Sequence, residues 1–502
     1  MRTIITSIAF LYCFFASSQN IFLNPNFGYE GFTYAENTSE INKIALNPDG
    51  SIISAGRKFI AGGSNIVLTK HDAIGTQDLT FGTGGVALNT DFNSVDLRDL
   101  QLQADGKILL AGSNYTGFDN GPGGSPIIHA FVMRYHPNGV IDSSFATNGV
   151  FEVTDYNQSE FNAVLVQSDQ SLRLISFSDG ITYITKLTSA GTLDNSFGTN
   201  GSRAISDMST FFFFNRGAIT LNDGSILSYG LDDTGFTDSK LTCVKINASG
   251  DFITSFGQNG ISSFDMDSDP NTLELVTKAQ ELSDGKIVLS GRPGTGYVLI
   301  RLKADGIADS AFATNGILVN ALPHTDMVVQ PTGKILIGGN KQVSQFDWGL
   351  TVSRYNADGT IDNSFNTTGT FDCDFSAGFE SLQCMVLTSP DYLLVGGKTT
   401  YIDEFSDFLL AELDMSEFLG LTGNKSEVLS IYPNPFSDNV TVSIENESVT
   451  EIQLADATGR IIKNFLVGKN TVLPLEHLEA GIYYFVFTNN LQEVVSQKLI
   501  KQ

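Results

Sequence analysis

One phrase, about nine residues long, returns along most of the chain and limits the fold more than any other feature. Its copies are "PDGSIISAG" from Pro48, "ADGKILLAG" from Ala104, "NDGSILSYG" from Asn222, "SDGKIVLSG" from Ser283 and "PTGKILIGG" from Pro331. Each is a turn followed by an apolar strand that ends in glycine, preceded by Ala, Ser or Gly in four of the five. In "LQADGK", Gly106 falls where a three-residue hairpin turn needs positive φ, and Asp105 can bond the backbone of its own turn. In "NPDG", Asn47 to Gly50, Pro48 presets φ at the first turn position. The Ala-Gly, Ser-Gly or Gly-Gly ending suits a place where two backbones crowd together. A chain written this way is a series of hairpins.

A second phrase alternates with the first. "KHDAIGTQDLTFGTGG" ends at Gly85, "RYHPNGVIDSSFATNG" at Gly149, "KLTSAGTLDNSFGTNG" at Gly201, "KINASGDFITSFGQNG" at Gly260, "RLKADGIADSAFATNG" at Gly316 and "RYNADGTIDNSFNTTG" at Gly369. Successive ends lie 52 to 64 residues apart, so one structural unit repeats with loops of variable length. Four strands can be read in a unit, as in "VALNTDF", "LRDLQLQ", "KILLAGS" and "AFVMRYH". With 49 Gly, 37 Phe and no long stretch of helical period, the chain is read as all-β. Four-stranded units in series predict a β-propeller.

Seven hairpin phrases are counted when the degraded "QSDQSLRLISFS" near Gln170 and "SPDYLLVGG" at Ser389 to Gly397 are included. A truncated second phrase, "NPNFGYEG" at Asn24 to Gly31, precedes the first hairpin, and a decayed "LLAELDMSEF" follows the last. The two fragments complement one another, as a closed ring requires, whereas an open solenoid needs capping units. The expectation is a seven-bladed β-propeller of four-stranded blades. Both phrases, in order from roughly Asn24 to Gly420, resemble the delta-60 repeat family, whose repeats read like "QPDGKILVAGG" and "RYNADGTLDTSFG". That resemblance implies a propeller-like fold and brings no agreed activity.

Within the repeat a basic residue stands five positions before the turn glycine: Lys70, Arg134, Lys186, Lys245, Arg301 and Arg354. An Asp follows that glycine by three: Asp78, Asp142, Asp194, Asp309 and Asp362, with Ile253 the exception. A ring of bases could line an anion channel, but a base–Asp pair in each unit explains the pattern more simply. Phe81, Phe145, Phe197, Phe256, Phe312 and Phe365 are expected to fill the space between blades.

The chain opens "MRTIITSIAFLYCFFASSQN", with basic Arg2, apolar Ile4 to Phe15 and small Ala16-Ser17-Ser18, which reads as a secretory signal peptide over residues 1–18. Its apolar run is too short to span a bilayer. Beyond Cys13, the cysteines Cys243, Cys373 and Cys384 are read as packing residues, although a disulfide between Cys373 and Cys384 across "DFSAGFESLQ" is geometrically open. A formal net charge of -26 disfavours nucleic acid and anionic membrane surfaces as partners.

The repeat stops near Gly420. We expect a propeller over 19–420, a polar linker over 421–430 and a small Ig-like β-sandwich over 431–502, since Val440, Val442 and Ile444, like Ile452 and Leu454, alternate with polar residues. The tail carries "YPNPF" (Tyr432, Pro433, Asn434, Pro435, Phe436), "DATGR" with Gly459 and Arg460, an "L-x-x-L-x-x-GIY" run ending in Gly481 and Tyr483, and a basic terminus with Lys498 and Lys501. These pieces, in this order, resemble the type A C-terminal sorting domain of the type IX secretion system of Bacteroidota. The resemblance implies recognition by that machinery at the outer membrane, removal of the tail, and release of the propeller or its linkage to surface lipopolysaccharide.

No His-x-x-x-His, nucleophile elbow, P-loop or zinc-spaced cysteine pair occurs. "DMDSDPNTLEL" imitates the start of a calcium loop with Asp265, Asp267 and Asp269, but Pro270 replaces the glycine and Val276 the final Glu, so a solvated acidic loop is the simpler reading. No other cofactor is indicated. The loops after the second strand of the hairpins differ most, and they pair aromatics with acids: Phe118 with Asp119, Asp233 with Phe236, Phe346-Asp347-Trp348, and Tyr401 with Asp403. On one face of a ring these would suit a glycan or a protein partner; they would equally pin long loops to the blades. The functional expectation is a non-catalytic, exported propeller that binds glycan or protein. The alternative is a polysaccharide hydrolase or lyase, which needs out-of-pattern ionisable residues gathered in the channel.

Overall fold

The computed structural model describes residues 22–28, 31–37, 39–92, 94–119, 124–156, 158–206, 211–232, 239–266, 272–294, 296–319, 321–344, 347–366, 368–374, 379–400, 406–416, 429–433, 436–444, 450–456, 461–468, 470–479, 481–488 and 494–501. Among these there are strands and turns and no α-helix. They form two compact units that part between Met415 and Ser416.

The first unit is a succession of antiparallel four-stranded sheets, each in simple chain order. The first comprises Ser39–Leu46, Ile52–Ile60, Gly63–His71 and Val86–Asn89; the second Val95–Leu102, Ile108–Phe118, Pro126–Tyr135 and Val150–Val153. The third runs from Ser159–Val166 to Ser202–Ala204, the fourth from Phe213–Thr220 to Ile261–Phe264, and the fifth from Glu274–Glu281 to Ile317–Val319. A nine-stranded sheet then combines a sixth set, Asp326–Val329 to Thr370–Cys373, with a last set, Phe379–Ser389, Tyr392–Thr400 and Ser406–Asp414. Among the described residues one parallel strand pairing, Trp348 with Phe379, makes these two sets a single sheet. The architecture is that of a β-propeller.

The last set is completed from the other end of the chain. Phe32–Asn37 pairs antiparallel with Ser406–Asp414, Phe32 opposite Ala411 and Tyr34 opposite Leu409, and Phe22–Leu23 extends the same edge. The inner strand of each set touches the inner strand of the next, and Phe379–Ser389 returns to touch Ser39–Leu46. Sequence spacing misplaced one element. "VALN", Val86–Asn89, is not the first strand of its unit but the outer strand of the preceding sheet, because a tight turn (Gly85 N–H to Phe81 carbonyl, 3.0 Å) sends it back along Gly63–His71.

Between neighbouring sheets lie separate apolar cores, each with one Phe of the second phrase. Phe81 fills the core between sheets one and two, Phe145 between two and three, Phe197 between three and four, and Phe256 between four and five. Phe312 and Phe365 fill the next two. Phe27, from "NPNF", packs with Ile41, Ile52 and Val67 of the first sheet and with Cys384, Leu394 and Leu410 of the last set. All seven rings are between 0% and 9% exposed.

The turn chemistry follows the phrases. Gly50, Gly106, Gly224, Gly285 and Gly333 take φ between 79° and 83°, and in the degraded third copy Gln170 takes the same left-handed conformation at 63°. The basic residues pair with the Asp of their own unit: Lys70–Asp78 3.5 Å, Arg134–Asp142 2.8 Å, Lys186–Asp194 2.6 Å, Arg301–Asp309 2.9 Å and Arg354–Asp362 2.6 Å. Where Ile253 replaces the Asp, Lys245 turns to Asp223 of the hairpin turn at 2.8 Å. The bases are therefore spoken for, and they sit on third strands rather than around the axis. Cys243, Cys373 and Cys384 are buried and form no disulfide, with Cys373 and Cys384 in different cores, which rules out the bridge between them.

The second unit has two antiparallel sheets over one core. Leu429–Tyr432, Asn439–Ile444 and Thr471–Pro474 form one; Ile461–Val467, Thr450–Asp456, Gly481–Thr488 and Val494–Lys501 form the other. Ile431, Phe436, Val440, Ile452, Leu473 and Phe485 meet between them.

Candidate functional site

The inner strands carry the unusual residues. Opposite the end of the hairpin phrase, six of the described inner strands skip one residue, at Asn42, Arg98, Asn162, Arg216, Thr277 and Gln383. The glycine is required there: a Cβ on Gly56, Gly112, Gly230 or Gly397 would lie 1.8 to 2.2 Å from a carbonyl oxygen of the bulged strand. The bulge re-aims the residues beside it. Reading around the ring at the register position just past it gives Lys43, Asp99, Ala163, Gly217, Lys278, Asp326 and Cys384. The Tyr229 hydroxyl occupies the space that a side chain on Gly217 would need.

Four of these positions are charged, and they lie close enough to act on one another. Burial, and then repulsion from Lys278, pull Lys43 below the ordinary lysine range. Burial opposes the charge on Lys278 too, but the Asp326 carboxylate at 2.9 Å outweighs it and holds the lysine above that range. Burial pushes the Asp99 carboxyl up, even though it accepts N–H bonds from Val164 (2.9 Å) and Leu100 (2.8 Å). Tyr229 is pushed up to about 12 by burial. Lys278 keeps 37% of its side-chain surface in contact with water.

The two carboxylates also tie neighbouring sheets together. Asp99 reaches Val164 of the third sheet, and Asp326 accepts the Met385 N–H of the last set at 2.8 Å. Nearer the start of the inner strands, Arg98 pairs with Asp96 (2.8 Å) and Glu160 (2.9 Å), and Glu40 holds Arg57 and, at 3.5 Å, Lys398.

The hairpin tips expected to form a binding face adjoin these strand starts. Parallel bridges Ser64–Ser94, Ile128–Gln158 and Trp348–Phe379 set the beginning of each third strand beside the next inner strand. Phe118 is 45% exposed and packs edge-on against Tyr115 at 5.7 Å. Asp119 is exposed and accepts the Ser125 N–H at 2.9 Å, closing its own loop. Asp347 comes together with Asp374 and Glu380, carboxylate oxygens within 4.8 Å of one another, and Trp348 stands opposite exposed Phe379. Three carboxylates so close can share a proton or a divalent cation. Asp233, Phe236, Phe346, Tyr401 and Asp403 lie outside the described residues, as do Asp267 and Asp269. Asp265 stands 3.6 Å from Lys240 in a groove of about 620 Å³ at the outer rim of the fourth sheet, away from the axis.

Sequence reading missed Lys43, Asp99, Arg98, Arg216, Lys278 and Asp326. The one local signal was the run "FFFFNRG" from Phe211, where Asn215 and Arg216 follow four consecutive Phe.

In the tail, Phe436 is 1% exposed, while Tyr432 is 51% exposed. Lys501 lies over the Phe436 ring at 5.7 Å and donates to the Ser437 carbonyl, so "YPNPF" and the basic terminus meet. Tyr483 donates to the Glu479 carbonyl at 2.9 Å, and Gly481 stands opposite Lys501. Asn434, Pro435, Gly459 and Arg460 lie outside the described residues.

Fold and tail together define a class: a repeat-built propeller with an export domain. Residues 430–502 match the secretion system C-terminal sorting domain, and residues 103–145 and 330–365 match the domain of unknown function (DUF5122) beta-propeller. The protein is a propeller cargo of the type IX secretion system, delivered outside the cell or to its surface. Among the described residues no helix is long and apolar enough to cross a membrane. None of the curated proteins matches the sequence. Solved structures similar to it include polysaccharide lyase Uly1 (10% identity, TM-score 0.46, covering 78% of this chain and 93% of that one) and Drosophila Semaphorin 2a (10%, 0.41, 95% and 99%). Prolyl oligopeptidase B from Galerina marginata matches at 10% identity and TM-score 0.36, over 72% of this chain and 46% of that one. At these scores none of them bears on function.

Proposed function

We propose that the protein is a non-catalytic, seven-bladed propeller that binds a glycan on the face formed by its hairpin tips, after removal of a signal peptide and of an Ig-like sorting domain. The blade count is supported by the closed cycle of inner strands and by one phrase Phe in each inter-sheet core. The observation that carries the glycan reading is the exposed aromatic surface beside acids at one end of the ring: Tyr115 with Phe118, and Phe379 beside Trp348 and the Asp347–Asp374–Glu380 cluster. Sugar rings stack their C–H faces on aromatic planes while carboxylates accept from their hydroxyls. A protein partner would use the same face.

The gathered, out-of-pattern ionisable residues that an enzyme needs are present in Lys43, Asp99, Lys278 and Asp326. Binding is still favoured over hydrolysis or elimination because the carboxylates near the axis already have donors: Asp99 and Asp326 hold main-chain N–H groups, and Asp96 and Glu160 hold Arg98. A general acid or base must be open to the reacting group. The propeller is tested on a glycan array and, in parallel, against a polysaccharide panel for reducing-sugar or unsaturated-product release. Retention of a glycan without product is expected. Product release would replace this reading with the enzymatic one, and silence in both assays would leave a protein partner.

A further inference from the structure

Three successive inner strands, each in contact with the next, carry Arg98, Glu160 and Arg216, and set the two guanidinium groups within electrostatic range of each other. Arg98 of the second sheet is anchored by Asp96 and by Glu160 of the third. Arg216 of the fourth sheet lies close enough to feel Arg98, Glu160 and Asp96, yet its guanidinium makes no hydrogen bond or ion pair within 4.0 Å of any described residue. The Nε–H groups of both arginines are enclosed and have no acceptor. The Arg216 Nη groups, neither bonded nor enclosed, reach solvent. Burial and then the neighbouring Arg98 pull the Arg216 guanidinium below its usual range.

A guanidinium offers five donors in a planar fork that matches an oxyanion. Leaving it unanswered beside a second cation is costly, in a chain that carries 55 Asp and Glu and has no shortage of partners. The group stands over the Phe214 ring at 4.8 Å, and Phe177 packs edge-on against Phe214 at 4.3 Å, so an aromatic shelf lies beside the fork. Ala163 and Gly217 are the two small members of the axial ring, and both belong to this sector.

We propose that Arg216, supported by Arg98, is an oxyanion site that takes a carboxylate or sulfate group, with the sugar that carries it against Phe214. This deepens the glycan reading and rests on it for the carrier alone; the anion chemistry stands on the arginines. The net charge of -26 repels long polyanions, so the group arrives on a short or sparsely charged saccharide.

The test follows thermal unfolding of the full chain by the fluorescence of Trp348, its single tryptophan, in millimolar sodium sulfate against chloride of equal ionic strength. Calorimetric titration with trigalacturonate and with a neutral trisaccharide runs beside it, on wild type, Arg216→Met and Arg216→Lys. Sulfate is expected to raise the wild-type midpoint but not that of Arg216→Met, and Arg216→Met is expected to lose roughly tenfold or more in trigalacturonate affinity. Without anion, Arg216→Met should unfold no earlier than wild type, since a structural arginine would be missed and an unanswered one would not. Arg216→Lys keeps the charge without the fork and should fall between. A wild type indifferent to both anions, or an Arg216→Met variant that binds trigalacturonate as wild type does, overturns the site. If sulfate acts through Arg216 while neither saccharide binds, the site stands and the glycan reading falls. If both saccharides bind all variants equally, the glycan reading stands and the site falls.

Discussion

Replacing Asp142 by Asn should cost far more than the loss of an ordinary surface ion pair. The Asp142 side chain is 1% exposed, and its partner Arg134, at 2.8 Å, is 7% exposed. Burial pushes this carboxyl up, but the Ser144 backbone and hydroxyl donors and the Arg134 charge outweigh it and hold it below the usual range. Arg134 also donates to the Ser189 carbonyl in the next sheet (2.6 Å) and lies over the Phe145 ring at 4.5 Å, so the pair ties two sheets together. In Asp142→Asn the amide oxygen can keep the Ser144 bonds, while the enclosed guanidinium loses its counter-charge. Stranding one partner of a buried pair costs about 3–5 kcal/mol, against about 0–1 kcal/mol at the surface. Arg134→Met, which leaves a carboxylate still served by Ser144, should cost about 2 kcal/mol, on the scale of a hydrogen bond to a charged group. The double variant should cost clearly less than the sum of the two, with a coupling of roughly 2–3 kcal/mol. Urea unfolding read at Trp348, which lies in the propeller, reports this unit separately from the tail. A cost below about 1 kcal/mol for Asp142→Asn, or additive variants, would refute the claim that these pairs are buried ties.

Three further outcomes are expected. Phe27→Ala should destabilise the propeller by about 3–5 kcal/mol in the same assay, as much as Phe145→Ala, because Phe27 fills a core of the same kind; a loose N-terminal tail would give no change. Gly112→Ala should lower the unfolding midpoint by many degrees, since its Cβ would sit 2.2 Å from the Asp96 carbonyl oxygen, and a neutral result would mean that the Arg98 bulge is absent. Stability should fall in two stages on acidification. Burial holds His71 down to about 4, below the 6.5 of an exposed imidazole, so the unfolded chain takes the proton first and stability drops as pH falls from 6.5 to 4; His71→Leu should flatten that stage. Hydrogen bonds from Lys186 and Ser196 hold Asp194 down to about 2, and Ser364, Lys334 and Arg354 overcome burial to hold Asp362 at about 2. Their contribution is full above about 4 and is lost as pH falls through 2. Midpoints that rise on acidification would contradict both.

Much of the fold was legible because the hairpin phrase and the Phe phrase carry their own turn chemistry and core residues. The complement between "NPNF" and the decayed last copy foretold that the chain ends would meet. The unit boundary was misread at Val86–Asn89, where a strand is assigned by the direction of the turn before it, and that direction leaves little trace in composition. The channel lining was not legible at all. Lys43, Asp99, Ala163, Gly217, Lys278, Asp326 and Cys384 span five residue types, and their common position emerges only when a backbone bulge and an interstrand register are known. Arg216 leaves a local trace in "FFFFNRG", but its role shows only when Arg98, more than a hundred positions away, is set within its electrostatic range.

Ring closure is most directly measured by a paired-cysteine crosslink. Thr33 and Leu410 are antiparallel partners in register, at a Cα separation a disulfide can span. Thr33→Cys/Leu410→Cys, in a chain whose native cysteines are replaced by Ser, should oxidise to a peptide pair joining residues 33 and 410, seen by mass spectrometry and absent from either single variant. Persistent free thiols at both positions in the folded protein would contradict a ring closed by its N-terminal strand.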